Sequence, residues 1–504
     1  MNQTELLHVN FPHLRDLKPF DTAHSATPWL ADSDAKHSRK LCASVEEAVK
    51  RCGLQDGMTI SFHHAFREGD RVINTVVALL ARMGFKNLTL ASSSLMTCNE
   101  SLIEHIKNGV VTQIYTSGLR SKLGEAISKG LMEKPVQIHS HGGRVHLVQS
   151  GELKIDVAFL GVPVCDAFGN ANGYSGRSKC GSLGYAMIDA QYADYVIVLT
   201  ESLEEYPNVP ASLHQDQVDA VVVVDEVGDP SKIGAGETRM TTNPKELLLA
   251  SHTAKVIEHS GLFKDGFSIQ TGTGGASLAT TVFLSEKMEE KGITASFGLG
   301  GITGTMVYML KRGLIKTLLD VQSFDEFAAK SLGENKNHIE ISANEYANPS
   351  SKGASIKQLD IVVLSALEVD LDFNVNVITG SKGFLRGASG GHSDTAAEAK
   401  LSIIVAPLTR GRLPTVTKRV NTIVTPGSTV DIVVTDQGIA VNPKNKELKE
   451  RLKKAGLQIV EMQELYERAI ALCGEPAEIK YKDKVVAVIR YRDGSIIDVV
   501  RQLA

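Results

Sequence analysis

Three glycine-rich turns each follow an apolar run: Thr-Gly-Thr-Gly-Gly (271–275), Gly-Leu-Gly-Gly-Ile-Thr-Gly (298–304) and Gly-Ala-Ser-Gly-Gly-His-Ser-Asp (387–394). Glycine there lets backbone N–H groups approach a phosphate, a carboxylate or a developing oxyanion, and a following helix N-terminus favours the same charge. Gly272, Gly274, Gly275 and Gly387 are read as cofactor-binding positions, and Gly300, Gly301, Gly390 and Gly391 as oxyanion donors. Tight packing of strand on helix would use the same glycines. Two familiar assignments fail. Gly272-x-Gly274 meets Ser277 where a dinucleotide fingerprint needs its third glycine, and no turn ends in the Gly-Lys-Ser/Thr of a nucleotide-hydrolysing loop.

Cationic and histidine side chains form a second set. His63, His64, Arg67 and Arg71 follow the first apolar run, and Arg144, Arg177 and Arg386 lie further on. Arginine forks match carboxylates bidentately, so these positions suit an anionic substrate, although helix capping and surface solvation would use them too. The alternating histidines of His139-Ser-His141-Gly-Gly-Arg144-Val-His146 could reach a metal, yet no carboxylate or cysteine stands at ligand spacing, and no metal is expected.

The third set occurs twice. Residues 155–172 (IDVAFLGVPVCDAFGNAN) and 359–376 (LDIVVLSALEVDLDFNVN) align Asp156 with Asp360, Asp166 with Asp370, Asn170 with Asn374 and Asn172 with Asn376. The asparagines are expected to shape turns, with Asn374 also a candidate cofactor contact. Glu368 stands where the first copy has Val164, and a carboxylate at a strand end is a candidate catalytic group.

The elements that must hold these residues read as parallel α/β. Helix 44–52, strand 58–62, helix 69–83 and strand 87–91 open the first half, and strand 267–270, helix 276–290 and strand 293–297 repeat that phrase. The gly-, pro- and charge-rich stretch 225–244 separates them, giving an N-terminal arm at 1–43, a first domain at 44–235 and a second at 236–504. Helices at 445–455 and 460–473 and a hairpin turning at Asp493-Gly494 complete the second half. A chain of 504 residues exceeds the ~250–300 residues at which single cores stop growing, in line with two domains.

Composition narrows the function classes. A formal net charge of −4 gives no general pull toward nucleic acid or anionic membrane, and no stretch approaches a membrane span. The six scattered cysteines form no C-x-x-C pair, which suits reduced thiols in the cytoplasm.

The two α/β halves, the GNxN-type turn, the GASGGHSD loop and the strand pair VVTDQGIAV (433–441) resemble coenzyme A transferases. With SFHHAFREGDRVIN, HSHGGRVH, GNANGYSGRSKCGSLGYAM and GLGGITGTMVYMLKRG added, the chain resembles the citrate lyase alpha-subunit family. The resemblance implies two tandem coenzyme A transferase-like domains, each an open, mostly parallel β-sheet with flanking helices. It implies a transferase of citrate fermentation that converts citrate and an acetyl thioester into a citryl thioester and acetate. The thiol would belong to a phosphopantetheine-type, dephospho-CoA-derived prosthetic group on a gamma (acyl carrier) subunit, with acetyl-CoA as surrogate and no cofactor bound covalently to this chain. A beta subunit would then cleave the citryl thioester, and the assembly would be an oligomer. Many coenzyme A transferases carry a nucleophilic glutamate after the second strand of the second domain. Here that place reads ASFGLGGITG (295–304), without a carboxylate. The expectation is direct attack by a citrate carboxylate, through a mixed anhydride; the alternative is a covalent glutamyl thioester at Glu368. Citrate's carboxylates would be met by Arg67, Arg71, Arg177, Arg386, His63 and His64.

Overall fold

The computed structural model describes residues 3–14, 40–233, 241–272 and 274–504. Most of the expected N-terminal arm, the 235/236 boundary and Thr273 lie outside the described residues.

Each half is built on a largely parallel sheet. The first sheet runs Leu41–Cys42, Ala220–Val223, Tyr195–Glu204, Val157–Asp166, Thr59–Phe62, Leu88–Ser92, Val111–Thr116 and Val136–Ile138. The second places Ile432–Thr435, Leu401–Val405, Ile361–Ser365, Ser268–Thr271, Ala295–Ile302, Ile315–Ser323 and His338–Glu340 in the same succession, with the antiparallel Gly438–Val441 at one edge. Parallel strands flanked by crossover helices are covered on both faces, which is why Val157–Asp166 is buried at every position.

The duplicated residues perform duplicated structural tasks. Asp156 accepts the Thr59 N–H at 2.7 Å and Asp360 accepts the Ser268 N–H at 2.9 Å, each tying the central strand of its half to the neighbouring one. Asp166 Oδ1 accepts the N–H groups of Phe168, Gly169 and Asn170, and Asp370 Oδ1 those of Asp372 and Asn374. Asn172 and Asn376 each cap two N–H groups of the following turn. These are Asx turns, the turn-shaping role expected of the asparagines.

The hairpin at the Asp493-Gly494 turn forms from Tyr481–Arg490 and Ile496–Leu503, but it does not join the second sheet. Tyr481–Arg490 pairs in parallel with Val136–Ile138 and extends the first sheet. Val486, Ala487 and Ile489 are buried there, so the tertiary partner of an otherwise local hairpin is the open edge of the other half. Among the described residues, no helix is long and apolar enough to cross a membrane.

In each half the chain leaves a central strand (Thr59–Phe62 or Ser268–Thr271), builds outward on one side and returns to build on the other. The crevice beyond the carboxyl end of that strand is where parallel α/β sheets bind ligands. The two crevices open toward each other.

Candidate active site

A cavity of about 330 Å³ lies between the halves at these two switch points. His64, Arg67, Arg120, His141 and Tyr185 line it from the first half; Gly272, Gly274, Gly301, Gln322, Phe324 and Gly390 line it from the second. Gln322 Nε2 donates to His64 O across the seam at 3.0 Å, and His141 N–H donates to Gly390 O at 2.9 Å.

Two arginines give the cavity its charge. Arg67 is buried, 4% exposed, at a left-handed backbone position (φ +52°), and its guanidinium lies 4.4 Å from the Phe324 ring centroid. A bulky residue is rarely held in that conformation, and such strain concentrates at functional sites. Arg120 reaches the same cavity, its Nη1 donating to Ser94 Oγ and Leu95 O at 3.2 Å each, and Ser121 after it is also left-handed (φ +52°). Among the described residues no carboxylate forms an ion pair with Arg120. Burial brings Arg67 down to about 10, helped by the Arg120 charge, and lowers Arg120 as well. Both stay protonated near neutral pH, so an anion entering the cavity would relieve their mutual repulsion.

The histidines are neutral. His64 stacks on Tyr185 with ring centroids 5.0 Å apart, and His141 packs against the same ring at a tilt, 4.5 Å away. Burial first, and neighbouring cations second, hold His64 far below the usual imidazole range and His141 at about 3. Neither adds positive charge; each offers a hydrogen bond.

The glycines divide by what a methyl group would meet. A Cβ on Gly301 would lie 1.5 Å from the Phe324 ring, on Gly391 2.4 Å from Tyr346 Oη, on Gly300 2.7 Å from Gln270, and on Gly387 1.9 Å from Val377 O. Close packing explains these four, and Gly275 meets Thr241 at 3.0 Å. Gly301 and Gly391 line the cavity as well as packing closely, whereas Gly272, Gly274 and Gly390 line it with nothing nearer than 3.4 Å. Gly274 lines the cavity as the N-cap of the 17-residue helix Gly275–Lys291, whose N-terminal dipole favours negative charge at that end.

Other residues picked out from sequence lie elsewhere. His63 is buried against its own sheet, its Nε2 2.7 Å from Gly161 O. Arg71 is half-buried and faces Glu226 at 3.6 Å and Asp229 at 3.8 Å; Arg177, which is exposed, pairs with Glu201 at 3.1 Å. Arg144, the remaining anion candidate, forms a buried bidentate pair with Asp189 at 2.5 and 3.0 Å. Arg386 is exposed and does not line the cavity.

Glu368 lines a separate cavity of about 700 Å³ together with Asp370 and Asn374. Its carboxylate accepts from Asn421 N–H (3.0 Å), Asn421 Nδ2 (2.7 Å) and Asn376 Nδ2 (2.8 Å). Burial raises its pKa although these donors pull it down. Asn374 Oδ1 accepts the Gly427 N–H at 2.9 Å, a loop contact. No group of three or more His, Cys, Asp or Glu among the described residues is arranged to hold a metal ion.

Sequence reasoning passed over Arg120, Tyr185, Ser117 and Gln322. A signal existed for Arg120: Ser117-Gly-Leu-Arg120 follows the strand Val111–Thr116 at the carboxyl edge that carries the other site residues. Tyr185 and Gln322 have no local signature.

The sequence profile of citrate lyase, alpha subunit (CitF) matches residues 38–503. The chain is 66% identical to the citrate lyase alpha chain of Klebsiella pneumoniae over 498 residues, covering 99% of this chain and 98% of that one. It is 64% identical to the citrate lyase alpha chain of Escherichia coli (strain K12), covering 97% and 95%. Among solved structures, an alpha subunit of citrate lyase in complex with citrate from Streptococcus mutans superposes with a TM-score of 0.91 at 55% identity, covering 97% of this chain and 93% of that one. A malonate decarboxylase alpha subunit from Acinetobacter baumannii shares the fold alone, with a TM-score of 0.63 at 16% identity, covering 88% and 94%. The match over nearly the whole length, at identities far above the level at which only a fold is shared, assigns this chain to the citrate lyase alpha-subunit family.

Proposed function

We propose that the cavity between the halves exchanges acetyl for citryl on a carrier thioester. The observation that carries this reading is the convergence of Arg67 and Arg120 on one cavity that Gly272, Gly274 and Gly390 line with accessible backbone. A tricarboxylate needs fixed cations, and acyl transfer needs donors where a carbonyl oxygen becomes negative. In the first step a citrate carboxylate oxygen attacks the acetyl carbonyl, the C–S bond breaks, and the products are a citryl–acetyl anhydride and a thiolate. In the second the thiolate attacks the citryl carbonyl and acetate leaves with the bridging oxygen. Both tetrahedral intermediates place an oxyanion near the exposed head of the helix Gly275–Lys291. The neutral His64 and His141 bind without competing as bases.

The thiol would arrive on the phosphopantetheine-type arm of an acyl carrier subunit, and a lyase subunit would take the citryl thioester onward, within a cytoplasmic oligomeric complex. Support for these partners is the family membership and the curated relatives' name, citrate lyase alpha chain. Glu368 has no nucleophilic role in this reading, because three donors hold its carboxylate and it lines the other cavity.

The test is a single turnover of the purified chain with acetyl-CoA and citrate labelled with ¹⁸O in its carboxylates. Direct attack delivers one ¹⁸O into the first acetate formed. A glutamyl relay would release unlabelled acetate in that turnover, taking its oxygen from the protein, and would overturn the reading.

A further inference from the structure

We propose that Ser93 holds His64 as the neutral imidazole protonated on Nε2, so that this nitrogen donates a hydrogen bond to a substrate oxygen in the cavity. The Ser93 side chain is completely buried. Its Oγ accepts the His64 backbone N–H at 3.1 Å and lies 2.5 Å from His64 Nδ1. Among the described residues no other group bonds to that oxygen, so its proton has one acceptor, His64 Nδ1. Were Nδ1 protonated instead, Ser93 Oγ would accept twice and its own proton would be orphaned in the interior, an arrangement folded proteins avoid. Nδ1 is therefore the acceptor, and the single proton of a neutral ring sits on Nε2.

The ring is fixed as well as protonated. His64 lines the cavity, stacks 5.0 Å from Tyr185 and 5.6 Å from His141, and has its backbone carbonyl held by Gln322. Burial keeps it uncharged at neutral pH. The result is a donor that supplements Arg67 and Arg120 without adding a third positive charge to a small space. Ser93 acts through His64 and is a positioning residue. The donor half of this inference rests on the citrate reading above; the tautomer half does not.

The two can be measured apart. In the full chain labelled with ¹⁵N-histidine, the His64 ring is identified by the signals that disappear in His64→Gln and, independently, by those that move in Ser93→Ala. Without substrate at pH 7, Nε2 should show a one-bond proton coupling and Nδ1 none. A proton on Nδ1, or on both nitrogens, would overturn the assignment. Citrate addition should then shift the Nε2 proton; citrate that binds by calorimetry yet leaves it unmoved would overturn the donor role. Citrate that fails to bind would sink the citrate reading and leave the tautomer result standing. Ser93→Ala should lower kcat on the order of tenfold by letting the ring exchange tautomers, with Ser93→Thr restoring both coupling pattern and rate.

Discussion

Asp394, in the second half, caps a helix of the first: its Oδ2 accepts the Gly142 N–H at 2.8 Å, and its Oδ1 accepts the Ser140 hydroxyl at 2.8 Å. Glu340 does the same at the next helix, accepting the Leu183 N–H and the Ser212 hydroxyl at 2.6 Å each. The first capped helix begins with His141 and the second carries Tyr185 in its first turn, so two carboxylates of one half hold the aromatic stack of the other.

These caps give the protein a pH signature. Burial raises Asp394 to about 6 and Glu340 to about 7, both above their unfolded values. A carboxyl group with a raised folded pKa contributes stability that is fully present below its unfolded pKa and is lost as pH rises through the folded one. Thermal stability should therefore fall between about pH 4 and pH 7 from this source. Glu340→Gln can accept from Leu183 N–H and donate to Ser212 Oγ, mimicking the protonated acid. Its melting temperature should gain on the parent as pH rises from about 4 to about 7, and parallel curves would refute the account.

Arg120→Ala should raise the citrate KM by roughly 10–100-fold, the worth of one or two charge-assisted hydrogen bonds, with kcat changed less. Arg71→Ala and Arg177→Ala, whose side chains already face carboxylates, should leave citrate kinetics within about twofold. Steady-state kinetics on the three variants checks the division; equal effects would dissolve it.

The two classes of glycine should separate in a paired experiment. Gly274→Ala keeps a backbone angle that alanine accepts (φ −65°) and places a methyl 3.4 Å from Ser365 Oγ, so folding should be normal while turnover falls tenfold or more, roughly. Gly301→Ala drives a methyl into the Phe324 ring and should cost about 1–3 kcal/mol in stability. Denaturant melts alongside kcat would show the opposite pattern if the assignment were reversed.

Glu368→Gln turns one acceptor oxygen into a donor that faces asparagine donors, and should destabilise by about 1–3 kcal/mol while retaining most transferase activity. A well-folded variant with no turnover would restore Glu368 as the nucleophile.

The sequence shows the fold well because its signals are local or repeated. The aligned pairs Asp156/Asp360 and Asp166/Asp370 do the same work in both halves, and the strand-helix-strand phrase recurs in one sheet order. The cavity was half visible. His64, Arg67, Gly272, Gly274, Gly301 and Gly390 line it, and all follow strand ends that the chain pattern marks. His63 and Arg71 carry the same chemistry a few residues away, but whether a side chain enters the cavity depends on local backbone turns such as the left-handed Arg67. Tyr185 and Gln322 arrive through contacts between the halves, for which spacing along the chain holds no record.

The hairpin at 481–503 gives the molecule an order of assembly. Residues 40–233 can form nearly all of the first sheet as soon as they are made, yet Val136–Ile138 waits for a partner translated about 350 residues later. Until the whole second half has been synthesised, that strand is an uncovered edge able to recruit foreign strands. The hairpin is thus a late clasp, and Val136–Ile138 is covered only once both halves exist.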